Sequence, residues 1–369
     1  MNKVLLPLGL IAALLSGCLP TSVIDDVLII EGEGYDYIGH NQAIGTVTMP
    51  NFVQSGNDGS QGAGMPTTAS MIHSLSGKIY IGQSMADHFQ SEGQKALRAA
   101  KLRITLFNER MARRGLKQII SFRNRDPDTP QDLSIAVVEG SCQKLLTSTH
   151  YQTQIPVARY VQDMILQNTE QSYPFANLST FLNAYYGHCM DPFMPIIRKR
   201  GDHLEMHGLA LFRHDKYVMR LPARNCFVFK MLYEPFNQGI YDYEYVPGRH
   251  IVLRNVCTKM AYFVKNGHTS TPDIHANVSV TAQIRQAYPD AVNSHNLNTV
   301  NQNLARHLEH QAEKMVQILQ KKRVDPLRLG DYVRSFTYGF NEHAWPQRYP
   351  HAKFHCRVRV TITQIGLTP

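Results

Sequence analysis

The sequence predicts an α+β fold of more than one domain, whose C-terminal half is a largely antiparallel sheet packed with a long helix. Three observations carry this. Near the end of the chain Phe354, Cys356, Val358, Val360 and Ile362 alternate with His355, Arg357, Arg359, Thr361 and Thr363, the period of two that buries one sheet face and leaves the other, basic, face wet. Residues 297–322 carry Leu297, Val300, Leu304, Leu308, Met315, Ile318 and Leu319 on one side of a helix. The chain has 369 residues, 43% of them hydrophobic and 18% charged, which exceeds one typical domain and supplies ordinary cores.

The chain opens with a secretory leader. Met1-Asn2-Lys3 is a short cationic start, residues 4–15 are apolar apart from one proline and one glycine, and Leu15-Ser16-Gly17-Cys18 matches the lipobox of bacterial lipoproteins. The run is shorter than the roughly 20 apolar residues that span a bilayer. Residues 1–17 therefore read as a signal peptide, and Cys18 as the lipid-bearing first residue of the mature chain. Two or more acyl chains make a stable anchor where one gives marginal binding.

The N-terminal elements follow in order. Residues 23–30 read as a strand, Glu31-Gly32-Glu33-Gly34 as a turn, and 43–49 as the returning strand. Residues 55–66, with four glycines among small polar residues, form a loop. A short helix is expected over 67–76, a strand over 78–82, and a basic helix over 95–114 that Gly115 ends. Residues 116–122 fit helix or strand. A strand over 133–139 and a helix over 141–147 continue a layered sheet-and-helix order. Pro156 introduces a helix carrying Val157, Tyr160, Val161, Met164 and Ile165, and 175–186 repeats the pattern.

The cluster Asp191-Pro192-Phe193-Met194-Pro195 interrupts the helices and marks the expected boundary between an N-terminal α/β region, 18–191, and a C-terminal α+β domain, 196–369. Beyond it, strands over 203–212 and 216–221 flank a tight Arg213-His214-Asp215 turn. Further strands are expected over 226–232, 251–256 and 278–284. Asp325-Pro326 stops the long helix.

Lys and Arg number 38 against 29 Asp and Glu, a net charge of +9. The excess crowds into 95–125, where Arg110, Arg113 and Arg114 stand out as a candidate basic docking surface. For an exported, lipid-tethered chain this surplus suits anionic headgroups or acidic protein loops, and no nucleic acid is expected as a partner.

Of 6 cysteines, Cys142, Cys189, Cys226, Cys257 and Cys356 follow the lipobox, an odd set without a CxxC pair; buried free thiols are expected. His203-Leu204-Glu205-Met206-His207 lacks the His-Glu-x-x-His order, and as a strand it lines up surface residues, so no metal site is expected. There is no Gly-x-Ser-x-Gly elbow. Asp25 and Asp26 point to opposite sides of a strand and cannot act as a pair. Neither a catalytic residue nor a cofactor is assigned.

Taken in order, five segments resemble the Ger(x)C family, the lipoprotein C subunits of bacterial spore germinant receptors. They are the lipobox followed by Ile24-Asp25-Asp26; residues 75–83, similar to the family's "LS..rklyfGh"; residues 135–146, similar to "lvva.gsakdiL"; residues 207–218, similar to "l.GlavFk.dklvg"; and the finish from Asp325-Pro326 through Trp345 to a strand ending at Gly366. The sequence departs from the family pattern at Leu19-Pro20-Thr21-Ser22 after the lipobox, and in Asp325-Pro326-Leu327-Arg328-Leu329-Gly330 where Asp-Pro-Phe-Gly is usual.

The resemblance implies a non-enzymatic, mixed α/β protein of about three small domains on the outer face of the spore inner membrane. It also implies assembly with a transporter-like B subunit and a membrane A subunit, and a requirement in germination. The alternative from another class is a solute-binding lipoprotein of an importer. That reading predicts two lobes of repeated strand-helix units around a cleft, which the strand-rich C-terminal half fits badly.

Overall fold

The computed structural model describes residues 27–51, 72–149, 151, 155–287, 292 and 295–365. Cys18, Asp25, Asp26 and the glycine-rich stretch 55–66 lie outside them. A short strand β1 (Val27–Ile29) is followed by the hairpin β2 (Gly32–Gly39) and β3 (Gln42–Pro50), then β4 (Ile72–Tyr80) and helix α1 (Met85–Phe89). β5 (Ala96–Arg98) pairs with β1 in a parallel two-stranded ribbon. Next come β6 (Ile104–Asn108), α2 (Glu109–Arg114), α3 (Lys117–Arg125), β7 (Ser134–Glu139), α4 (Cys142–Leu146), α5 (Val157–Gln171) and α6 (Leu178–Tyr186). Three strands, β8 (Phe193–Arg200), β9 (His203–Arg213) and β10 (Lys216–Pro222), complete an eight-stranded sheet of order β10-β9-β8-β7-β6-β2-β3-β4.

The middle of this sheet is parallel, from β2 through β6 and β7 to β8, and its edges are antiparallel hairpins. Central strands are covered on both faces. Ile104, Leu106, Ala136 and Val138 pack with α4 and α5, while Phe107, Ile135 and Val137 pack with Met111, Ile119, Ile120 and Phe181 from α2, α3 and α6.

Helix α7 (Cys226–Tyr233) leads to the second sheet, β11 (Tyr241–Val246), β12 (Arg249–Lys265), β13 (Asp273–Ala287) and, after the long helix α8 (Leu297–Lys322) and α9 (Leu329–Ser335), β14 (Lys353–Ile365). Its pairings are antiparallel except for β13 with β14, which run parallel. Helix α8 has the expected bounds, and Leu304, Leu308, Ala312, Met315, Val316 and Leu319 are buried against the sheet. In β14, Cys356, Val358, Val360 and Ile362 face the core and Lys353, His355, Arg357 and Arg359 face out, the phase the alternation predicted. β14 is an edge strand, and α8 covers that edge. The Glu309 carboxylate accepts from the Val358 amide (2.8 Å) and Glu313 from the Cys356 amide (3.3 Å). Side chains thereby satisfy ladder groups that would otherwise invite another strand.

Several expectations are corrected. The basic helix over 95–114 does not form: the segment gives β5, the central strand β6 and only the short helix α2. Ile104 to Phe107 are buried on alternating faces, and that continuous apolar run outweighs the helical spacing of the flanking cations. Residues 72–80 are the edge strand β4 rather than part of a helix. Residues 226–232 are helix α7, not a strand. All seven, Lys230 included, are buried, and a short fully buried run carries no period that tells the two apart.

Residues 32–34 of the turn expected over 31–34 lie inside β2 instead. The chain reverses at Gly39, His40 and Asn41, all at positive φ, and Glu31 and Glu33 hold Arg103 and Arg123.

The break at 191–196 does not separate the sheets, because β8 to β10 extend the first one. Pro195 is tolerated there because β7 pairs with β8 only from Ile196 onward, so the missing amide disturbs no ladder bond on that side. The change of sheet falls between β10 and β11. One core cluster spans it, from Leu106 through Phe229 to Val358.

Candidate functional site

Two places carry more polar organisation than the fold alone demands. The first joins the halves. Asp191, just before β8, and Asp325, just after α8, hold one another reciprocally: the Asp191 amide donates to the Asp325 carbonyl (3.0 Å), and the Asp191 carboxylate accepts from the Asp325 amide (2.8 Å). The other Asp191 oxygen accepts from the His214 amide (3.0 Å) in the β9–β10 turn. The Asp325 carboxylate is buried and accepts from the amides of Leu329 (2.9 Å) and Gly330 (2.8 Å), opening α9, and from Trp345 Nε1 (3.0 Å).

Burial pushes the Asp325 carboxyl up to about 7, against the pull of the Gly330 and Leu329 amides, and burial also raises Asp191. Gly330 is required by contact. A Cβ there would stand 2.3 Å from Trp345 Nε1 and 2.6 Å from the Cys189 Cβ. Arg213 donates to the carbonyls of Lys322 and Arg323 at the end of α8, placing a cation on the negative end of the helix.

A cleft of about 440 Å³ opens at this junction, walled by His188, Asp191, Arg213, Glu342 and His343 over Trp345 and Tyr349. His188 pairs with Glu342 at 2.9 Å. The Cys189 thiol, first by burial and then by the Glu342 charge, is pushed up to about 12, so it is held as an unreactive thiol rather than a nucleophile.

The second place is α2, which carries the three arginines singled out from sequence. Asn108 caps the helix, its side chain accepting from the Met111 amide (2.8 Å) and from the Tyr37 amide of β2 (3.2 Å). This fixes Tyr37 beside the helix, where its ring lies under Arg110 (5.9 Å) and Arg114 (5.6 Å). Arg113 stacks over Tyr217 of β10 at 4.4 Å, and Arg114 also bonds Asn41 and Gln118. Gly115 ends the helix as expected, with φ 119; a Cβ there would stand 2.5 Å from the Asp215 carboxylate, which accepts from the Lys117 amide (3.0 Å).

Arg110, Arg113 and Arg114 are therefore brought together, with Arg110 and Arg113 exposed. Two other cations of the 95–125 segment are spent on structure: Arg103 pairs with Glu31 (3.1 Å), and Arg123 is buried against Glu33 and Asp126.

His203, Glu205 and His207 line one side of β9, where Glu205 pairs with Arg198 (2.9 Å) and His207 with Glu139 (2.8 Å). Among the described residues no group of three His, Cys, Asp or Glu is placed to hold a metal. The five cysteines after the lipobox are free thiols, three of them buried.

The body is a mixed α/β fold whose two large sheets are joined by buried carboxylates, with a cluster of surface arginines on α2. Residues 21–199 match the family described as spore germination protein N-terminal domain, and residues 207–366 the family described as spore germination B3/GerAC like, C-terminal. The chain belongs to the Ger(x)C family, the non-catalytic C subunits of germinant receptors. It is 25% identical to spore germination protein GerQC of Bacillus cereus over 365 residues, which covers 97% of this chain and 98% of the relative. The crystal structure of the GerBC protein shares the fold at a TM-score of 0.56 and 13% identity, covering 89% of this chain and 99% of that one.

Sequence reasoning missed the reciprocal clamp. Its one signal is that both carboxylates sit in Asp-Pro pairs, Asp191-Pro192 and Asp325-Pro326, read only as a boundary and a helix stop.

Proposed function

We propose that this chain is a lipid-anchored, non-catalytic subunit of a nutrient germinant receptor, serving as a docking and assembly component on the outer face of the spore inner membrane. Cys18 carries the diacylglycerol anchor, and its membrane partners are a transporter-like B subunit and an A subunit. The lipobox Leu15-Ser16-Gly17-Cys18 supports this anchor, and among the described residues no helix is long and apolar enough to cross a membrane. The observation that carries the docking reading is the set of guanidinium groups on α2. Their order is set by Tyr37 and Tyr217 before any partner arrives, which lowers the entropy lost on binding.

Fractionation tests the anchor. Cys18→Ala is expected to leave a folded body that washes off membranes with salt, whereas undiminished, salt-resistant association refutes lipid attachment at this residue.

A further inference from the structure

The outer face of the C-terminal sheet carries a second cationic surface unlike the one on α2. The strand register places Lys259, Ser279 and Arg359 in one row across β12, β13 and β14, and Ala261, Asn277 and Arg357 in the next. All six are exposed. Lys265 and Lys353 flank Asp273 nearer one end, and Asp273, the one carboxylate on β12–β14, is held at 3.2 Å by both His275 and His355. Lys259, Arg357 and Arg359 have no ion-pair partner among the described residues. Some cations elsewhere are paired, as in Arg103 with Glu31, Arg123 with Glu33 and Arg198 with Glu205.

Strands lie about 4.8 Å apart and same-face neighbours along a strand about 6.8 Å apart, so these charges form a planar array spaced roughly 7–10 Å. Like charges that close repel. The fold leaves that repulsion uncompensated, since Glu309 and Glu313 of α8, which packs on the opposite face, turn to the backbone of β14.

A protein partner would be met by an aromatic or aliphatic centre with a polar rim. The two cationic rows have only alanine, serine and asparagine between the charges, and Phe263, in the adjoining row, is stacked on His275 at 4.5 Å. A flat, polar, cationic plane fits a flat anionic one. We propose that the outer face of strands β12–β14 docks on an anionic phospholipid surface, through Lys259, Arg357 and Arg359. This rests on neither the Cys18 anchor nor the α2 arginines.

The test uses the full chain carrying Cys18→Ala, so that no acyl chain contributes, and vesicles of phosphatidylcholine with or without phosphatidylglycerol. Binding is expected to require phosphatidylglycerol and to weaken steeply with salt. Replacing Lys259, Arg357 and Arg359 with Gln should weaken it roughly 100-fold, at about fivefold per cation, with an unchanged melting temperature. Arg110→Glu, Arg113→Glu and Arg114→Glu together should leave it intact, which separates this surface from the one on α2. Binding that ignores phosphatidylglycerol, that survives the Gln variant, or that is lost in the α2 variant instead overturns the proposal. So does capture by a single-stranded oligonucleotide without capture by vesicles.

Discussion

Asp191 and Asp325, 134 residues apart in the chain, exchange a pair of hydrogen bonds: the Asp191 amide donates to the Asp325 carbonyl, and the Asp325 amide donates to the Asp191 carboxylate. The Asp325 side chain then reaches on to Trp345, the chain's 1 tryptophan. The junction of the two sheets is thus a titratable centre with a built-in fluorophore.

Its folded-state carboxyl stands at about 7, raised from an ordinary value of 3.8, so the native state binds the proton more tightly than the unfolded chain. The associated stability is present below about pH 4 and is lost as pH rises through 7, with a slope of at most about 1.4 kcal/mol per pH unit. The melting temperature, followed by Trp345 emission, should fall between pH 5 and pH 8. Asp325→Asn should lower it at pH 5 and flatten the slope, leaving what Asp191 contributes with the same sign. An unchanged slope in the variant would place the titration elsewhere.

Gly330→Ala is expected to destabilise by about 1–3 kcal/mol, because the new methyl group meets the indole and Cys189 rather than a flexible chain end. A red shift of Trp345 emission should accompany the loss. Wild-type stability with unshifted emission would show that α9 can move aside at no cost.

The Arg123–Glu33 pair is buried, with 4% and 1% of the two side chains exposed. Arg123→Met should cost about 3–5 kcal/mol, since it strands a buried carboxylate. Glu33→Gln in the same chain should recover part of that, because the neutral amide still accepts from Tyr35. Denaturant unfolding of the four chains gives the coupling, expected above about 1 kcal/mol. Additive losses would contradict a functioning pair.

Val360 lies inside β14, 8% exposed under α8. Val360→Asp puts an unpaired carboxylate there, at a cost on the order of several kcal/mol. Arg359→Asp, one residue away on the wet face, should cost less than about 0.5 kcal/mol. Equal melting temperatures for the two variants would contradict the assigned phase.

Periodicity made α8 and β14 legible, because each buries one face only and so writes its geometry into the order of residues. It fails where burial is complete: β6 and α7 are buried on every side and carry no period that tells helix from strand. The three arginines of α2 were legible as charge, but Tyr37 and Tyr217, which orient them, come from strands far away in sequence. The clamp was not legible either, since pairing Asp191 with Asp325 depends on how the two sheets meet.

The central claim is that this body docks membrane subunits through ordered arginines, and co-purification of the receptor tests it most directly. With normal lipidation at Cys18 and an unchanged melting temperature, Arg110→Glu, Arg113→Glu and Arg114→Glu together should reduce recovery of the membrane partners at least tenfold and slow germination in parallel. Recovery and germination equal to the parent chain would contradict the claim and leave the α2 arginines as solvated charge.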